Sequence, residues 1–181
     1  MLRLLNYYSQ NRLAWFLLLL SALSFELVAL FFQHVVGLLP CTLCIYQRCV
    51  FLGIMLAALI ALINPKSLLY RLFALALWLY CAIKGFCYAY EQVTLQFQPS
   101  LFHSCSLTPE FPSWLPLDRW FPAIFASFGQ CSEKVWAFLS LEMSQWTMLI
   151  FICYVIVALL ILLVQFFKQP LDQNLNKVKF H

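Results

Sequence analysis

The sequence predicts an all-α membrane protein, a bundle of four transmembrane helices with a short interfacial helix in its second outward loop, on three observations. Hydrophobic residues fill 64% of the 181 positions and charged residues only 10%, too little polar side chain to coat a soluble domain. Four nearly uncharged runs approach or exceed the roughly 20 residues that a helix needs to cross hydrocarbon. Lys and Arg gather on alternate connections, as they do when a chain weaves through a bilayer.

The runs cover residues 13–32, 49–65, 72–90 and 146–167, and the whole chain reads as one integral membrane domain. The first could be a signal peptide, since Arg3 and Arg12 precede it and Ala22-Leu23-Ser24 loosely resembles a cleavage site. Its apolar stretch continues to Phe32, which is too long for a removed signal and suits a retained span. The second run is the shortest and borrows from Cys44–Arg48, with the Arg48 head reaching the interface while its stem stays in lipid.

With four spans both termini share a side. That side collects Arg3, Arg12, Lys66, Arg71, Lys168, Lys177 and Lys179, against Arg48, Arg119 and Lys134 on the other. The bias places the termini and the 64–71 connection in the cytoplasm and turns loops 33–46 and 91–145 outward. It also accounts for the net charge of +4, so the charge is no sign of nucleic-acid binding. The outward loops hold Cys41, Cys44, Cys105 and Cys131, and the cytoplasmic connections hold none. Such an asymmetry fits an oxidising compartment. Cys49, Cys81, Cys87 and Cys153 fall in or beside spans and read as packing residues.

The second outward loop is rich in Pro and aromatics. Part of 116–128 is expected as a short amphipathic helix in the headgroup region, with Asp118 and Arg119 facing water. The alternative is that its aromatics plug the mouth of the bundle.

Chemistry concentrates between Pro40 and Arg48. Pro40 suits the start of a helix, and a helix beginning near Cys41 would set its positive N-terminal end beside the thiols, lowering a thiol pKa. If that helix is continuous, Arg48 shares a face with Cys44 and could hold negative charge on the sulfur or on an electron acceptor. C-x-x-C spacing also serves zinc, but outside the other cysteines the outward loops offer only His34 and His103 as further ligands, and no second C-x-x-C or H-x-x-x-H is present, so no metal is expected. Cys105 and Cys131, taken alone, read as a structural brace worth roughly 3–4 kcal/mol. Beside a second dithiol on the same face they can form the other half of a thiol–disulfide relay.

These residues are the ones that carry a resemblance. The segments Phe32-Gln33-His34-Val35, Pro40-Cys41-Thr42-Leu43-Cys44-Ile45-Tyr46-Gln47-Arg48-Cys49, Trp78-Leu79-Tyr80, Tyr90-Glu91, Phe111 through Asp118 and Leu141-Glu142-Met143 closely resemble the bacterial inner-membrane DsbB family of disulfide bond formation proteins. The resemblance runs from Leu2 to about Phe167. It implies a protein-disulfide:quinone oxidoreductase whose catalytic cysteines are Cys41, Cys44, Cys105 and Cys131, with Arg48 and Cys44 at the quinone. The implied cofactor is ubiquinone, or menaquinone without oxygen, and the implied partner is a periplasmic thioredoxin-like oxidase of the DsbA type. In that scheme the reduced partner attacks the Cys105–Cys131 disulfide at Cys105. Cys131 then attacks the Cys41–Cys44 disulfide at Cys41, and the released Cys44 passes electrons to the quinone with help from Arg48. Two other classes remain: a four-helix reductase of the vitamin K epoxide reductase type, and a disulfide-braced scaffold. The first places its C-x-x-C late in a helix, whereas here the motif precedes the second span.

Ionisable groups within the bilayer are functional candidates by default. Glu26 in the first span and Lys84 in the third are expected either to pair, or to leave Lys84 snorkelling outward, or to serve in proton delivery.

Overall fold

The computed structural model describes residues 10–97, 109–113, 115–134 and 136–178. In chain order its elements are α1 (Arg12–His34), α2 (Thr42–Ile63), α3 (Leu68–Phe97), α4 (Leu117–Trp120), α5 (Pro122–Phe125), β1 (Ala137–Phe138), β2 (Leu141–Glu142) and α6 (Met143–Val178). The helices α1, α2 and α3, with α6 over Met143–Gln165, are each long and apolar enough to cross a membrane. Mean hydropathy alone would not order them; packing does. Extensive contacts join α1 to α2, α2 to α3 and α3 to α6.

The core is built from small residues. Ala57, Ala58, Ala61, Ala74, Ala82 and Ala89 have no exposed surface, and their short side chains let helix backbones approach where no hydrophobic effect drives association. Phe51 fills the space they leave, stacking on Phe25 at 5.5 Å and on Phe151 at 4.9 Å between ring centroids. The outer faces carry exposed Leu13, Phe16, Leu20, Leu27, Leu56 and Phe73. Apolar residues on those faces suit lipid, and a helix pairs its interior backbone groups within itself, as a span through hydrocarbon requires.

α2 begins seven residues before the apolar run that marks it in the sequence. Cys41 is its N-cap, with the sulfur accepting from the Cys44 N–H at 3.3 Å. The C-x-x-C is therefore the cap and first turn of a spanning helix, and Arg48 lies inside the span, buried. At the opposite end of the described chain, Asn11 caps α1 by accepting from Leu13 N at 3.1 Å.

The second outward loop contains two single-turn helices in place of one amphipathic helix. Pro122 lacks an N–H and disfavours helical geometry at Phe121, whose φ and ψ are −133° and 65°. One side of this region plugs and the other is displayed: Phe125 is buried, whereas Trp120, Phe121 and Phe128 are more than half exposed. A hairpin of β1 and β2 then leads into α6, with Phe138 paired to Leu141. Its turn residues Leu139 and Ser140 have φ of 52° and 65°, a left-handed geometry that hairpin turns normally give to Gly or Asn. Trp146 holds the hairpin by donating its indole N–H to Phe138 O at 3.1 Å, and Trp136 stacks on Phe138.

Candidate functional site

The long loop returns to the start of α2 through backbone. Phe128 N and Gly129 N both donate to Pro40 O, at 3.0 and 3.1 Å, and Cys41 and Gly129 form a parallel bridge. A side chain at Gly129 would run into the Leu39 carbonyl oxygen, so this close approach requires glycine. Thr42 Oγ1 donates to Ser127 Oγ at 3.3 Å beside it. The register carries Cys131 into one buried cluster with Cys41, Leu43 and Leu95, where the two cysteines are 2% and 3% exposed. Cys131 is disulfide-bonded, whereas Cys41 and Cys44 are free thiols in this structure. Cys105 and His103 lie outside the described residues.

On its other side Cys41 borders a cavity of about 440 Å³ that Cys44, Gln47, Arg48 and Gln92 also line, with apolar walls from Val28, Ala29, Phe32 and Trp146. Arg48 is held there from three directions. Its Nε and Nη2 donate to Glu26 Oε1 at 3.0 and 2.8 Å, and its Nη1 donates to Gln33 Oε1 at 2.6 Å and to Ile124 O at 2.8 Å. The Phe125 ring centroid lies 5.8 Å from the guanidinium carbon. A guanidinium has five N–H groups, and among the described residues these four bonds leave one without a partner.

Glu26 thus pairs with Arg48 and not with Lys84, which is exposed. The pairing neutralises a charge that the bilayer would otherwise penalise, and α2 can therefore run through Arg48 without a break. The expectation that Arg48 would face the Cys44 sulfur also changes. The side-chain donor at that sulfur is Gln92, whose Nε2 lies 3.4 Å from Cys44 Sγ and 3.6 Å from Cys41 Sγ. Gln47 Nε2 donates to Gln92 Oε1 at 2.9 Å. Gln92, Gln47, Gln33 and Gly129 were not singled out from sequence. Gln47 and Gln92 lie just outside the apolar runs 49–65 and 72–90, so no local signal marked their pairing across the bundle.

Cys41 sits just ahead of the span, at the N-terminal end of α2, yet its thiol is pushed up from the ordinary value. The adjoining Cys44 side chain and burial outweigh the backbone donors that favour a thiolate. The helix end therefore does not activate Cys41 in the reduced pair. Among the described residues no cluster of three or more His, Cys, Asp or Glu could hold a metal. Cys49 and Cys81 pack within the bundle, whereas Cys87 and Cys153 lie on its exposed face.

Comparison with known proteins identifies the family. Residues 11–161 match the family described as Disulfide bond formation protein DsbB. The chain is 51% identical over 168 residues to Disulfide bond formation protein B of Escherichia coli strain K12, covering 93% of this chain and 95% of that protein. The same figures hold for the proteins of that name from Escherichia coli O1:K1 / APEC and Shigella boydii serotype 4. The chain belongs to the DsbB family of membrane disulfide bond formation proteins and is an oxidoreductase of protein disulfides.

Proposed function

We propose that this protein reoxidises the dithiol of a periplasmic thioredoxin-like oxidase and delivers the electrons to a membrane quinone, ubiquinone or, without oxygen, menaquinone. The observation that carries the reading is the position of Cys41, shared between the Cys131 cluster and the cavity lined by Cys44 and Arg48. A relay needs one sulfur pair to face a protein disulfide and an electron acceptor at once.

The chain's own residues divide the work. Cys105 receives the partner's thiolate, and the freed Cys131 attacks Cys41 from the buried cluster, so that Cys44 leaves as a thiolate toward the cavity. The cavity residues suit a quinone head. Arg48 retains one N–H for a carbonyl oxygen, and the apolar walls admit a ring while keeping water from the sulfur. A second, apolar cavity of about 760 Å³ shares Phe25, Trp146 and Ile150 with the first, which suits a ligand with a long apolar tail. When bound, a quinone supplies a two-electron, two-proton sink of the kind that a strongly oxidising partner requires. The distribution of Lys and Arg supports an inner-membrane orientation with both termini cytoplasmic and the cysteine loops in the periplasm.

The test is turnover of purified protein with quinone and a reduced thioredoxin-like dithiol, followed by quinone absorbance. Wild type should consume dithiol and quinone in equal amounts, and Cys44→Ser should stop turnover. Undiminished turnover in Cys44→Ser would overturn the assignment.

A further inference from the structure

We propose that Gln92 is a catalytic residue of the sulfur pair, its amide N–H groups holding the negative charge that appears on Cys44 as that sulfur is released, and that Gln47 is the positioning residue that keeps the amide turned this way. The proposal rests on the relay reading given above.

A glutamine amide can present either its oxygen or its nitrogen to a neighbour. With the oxygen forward it would meet a thiolate as one electron-rich atom facing another. Here Gln47 Nε2, on α2, donates to Gln92 Oε1, on α3, at 2.9 Å, so the oxygen is occupied and the nitrogen faces both sulfurs. Gln47 and Gln92 are 5% and 7% exposed. Amides cost free energy when buried in an apolar bundle unless their bonds are made, and this pair makes them with each other and with the reacting atoms. A neutral donor also suits the site: it offers positive partial charge without bringing a second buried cation beside Arg48.

The step it serves is balanced within the chain. The Cys131 thiolate attacks Cys41 Sγ, a Cys131–Cys41 bond forms, and the Cys41–Cys44 bond breaks. Its electron pair goes to Cys44 Sγ, and no proton needs to move. The Gln92 N–H groups already point at the atom where charge arrives, so stabilisation needs no reorganisation. An amide that served only to join α2 to α3 would have no bearing on sulfur reactivity, and the experiment separates the two roles.

The reduced full-length protein, in detergent and without quinone, is treated with iodoacetamide, and the alkylation of Cys44 is followed by peptide mass mapping. The exchange equilibrium of the Cys41–Cys44 pair is measured against a reference dithiol. Gln92→Met is expected to slow Cys44 alkylation about tenfold and to shift the exchange constant about tenfold toward the disulfide, which is about 30 mV. Gln47→Met should move both readouts the same way, about threefold, and the double variant should be no worse than Gln92→Met. If Gln92→Met does not fold, Gln92→Asn, which draws the amide back by one methylene, reads the same loss. Unchanged alkylation and exchange in a folded Gln92 variant would reduce the pair to a helix brace and overturn the proposal. Additive effects of the two substitutions would remove the role given to Gln47. Because both readouts dispense with quinone, failure here is distinct from failure of quinone turnover.

Discussion

Cys41 is bridged through its backbone to Gly129, and that bridge brings Cys131 into the cluster around Cys41. The contact joins the cap of a spanning helix to a loop that is distant in sequence. It depends on a position where any side chain collides with the Leu39 carbonyl.

Gly129→Val should therefore uncouple the two halves of the relay. Oxidation of the partner dithiol is expected to fall at least tenfold, because misplacing a reacting group by about 1 Å can cost a hundredfold. Reduction of Cys41–Cys44 by a small dithiol should stay within twofold of wild type. Stopped-flow assays with the two reductants check this, and equal losses with both would refute it.

The Arg48–Glu26 pair is buried on both sides, with side chains 5% and 8% exposed. Glu26→Leu strands a guanidinium in the bundle and should cost roughly 3–5 kcal/mol, visible as a lower midpoint of thermal unfolding in detergent. Glu26→Gln, which keeps an acceptor, should lose less. Adding Arg48→Met to Glu26→Leu should recover stability without restoring quinone turnover. A double variant no more stable than the single one would contradict the pairing.

In the reduced protein the Cys41 thiol is pushed up by Cys44 and by burial. It should resist alkylation past pH 9, beyond the ordinary thiol range near about 8.5. The linked stability has a definite sign. A raised thiol pKa contributes stability below the unfolded-state value and loses it as pH rises beyond that value. Reduced protein should therefore unfold more easily as pH passes from about 9 to 11, whereas protein with Cys41 and Cys44 oxidised should lack this component. Peptide-mapped alkylation and unfolding scans across that range test both statements.

Gly85 meets the Phe151 ring where α3 packs on α6, and a Cβ added there would overlap that ring. Gly85→Ala should destabilise the bundle by roughly 1–3 kcal/mol through overpacking. Quinone affinity should be unaffected, since neither Gly85 nor Phe151 borders the 440 Å³ cavity. An unfolding midpoint equal to wild type would show that the ring shifts freely.

Spanning helices were legible because hydrocarbon imposes a local rule, about 20 apolar residues per crossing, and the thiol chemistry was legible because C-x-x-C spacing is also local. Boundaries were less so. The apolar run of α2 starts at residue 49 and was expected to borrow from Cys44–Arg48; the helix starts at Thr42, and Glu26 neutralises the Arg48 charge from another helix. The β1–β2 hairpin escaped notice because its turn uses Leu139 and Ser140 instead of the Gly or Asn that advertise such turns.

By itself, then, the sequence determined the class, the number of spans and the family resemblance. Tertiary structure alone decided that Arg48 faces Glu26 and Gln33, that Gln92 and not Arg48 donates to the Cys44 sulfur, and that Cys131 lies in the cluster around Cys41. The physical reason is range: hydropathy and motif spacing act along the chain, whereas hydrogen-bond partners in a bundle depend on which face each helix turns to its neighbours.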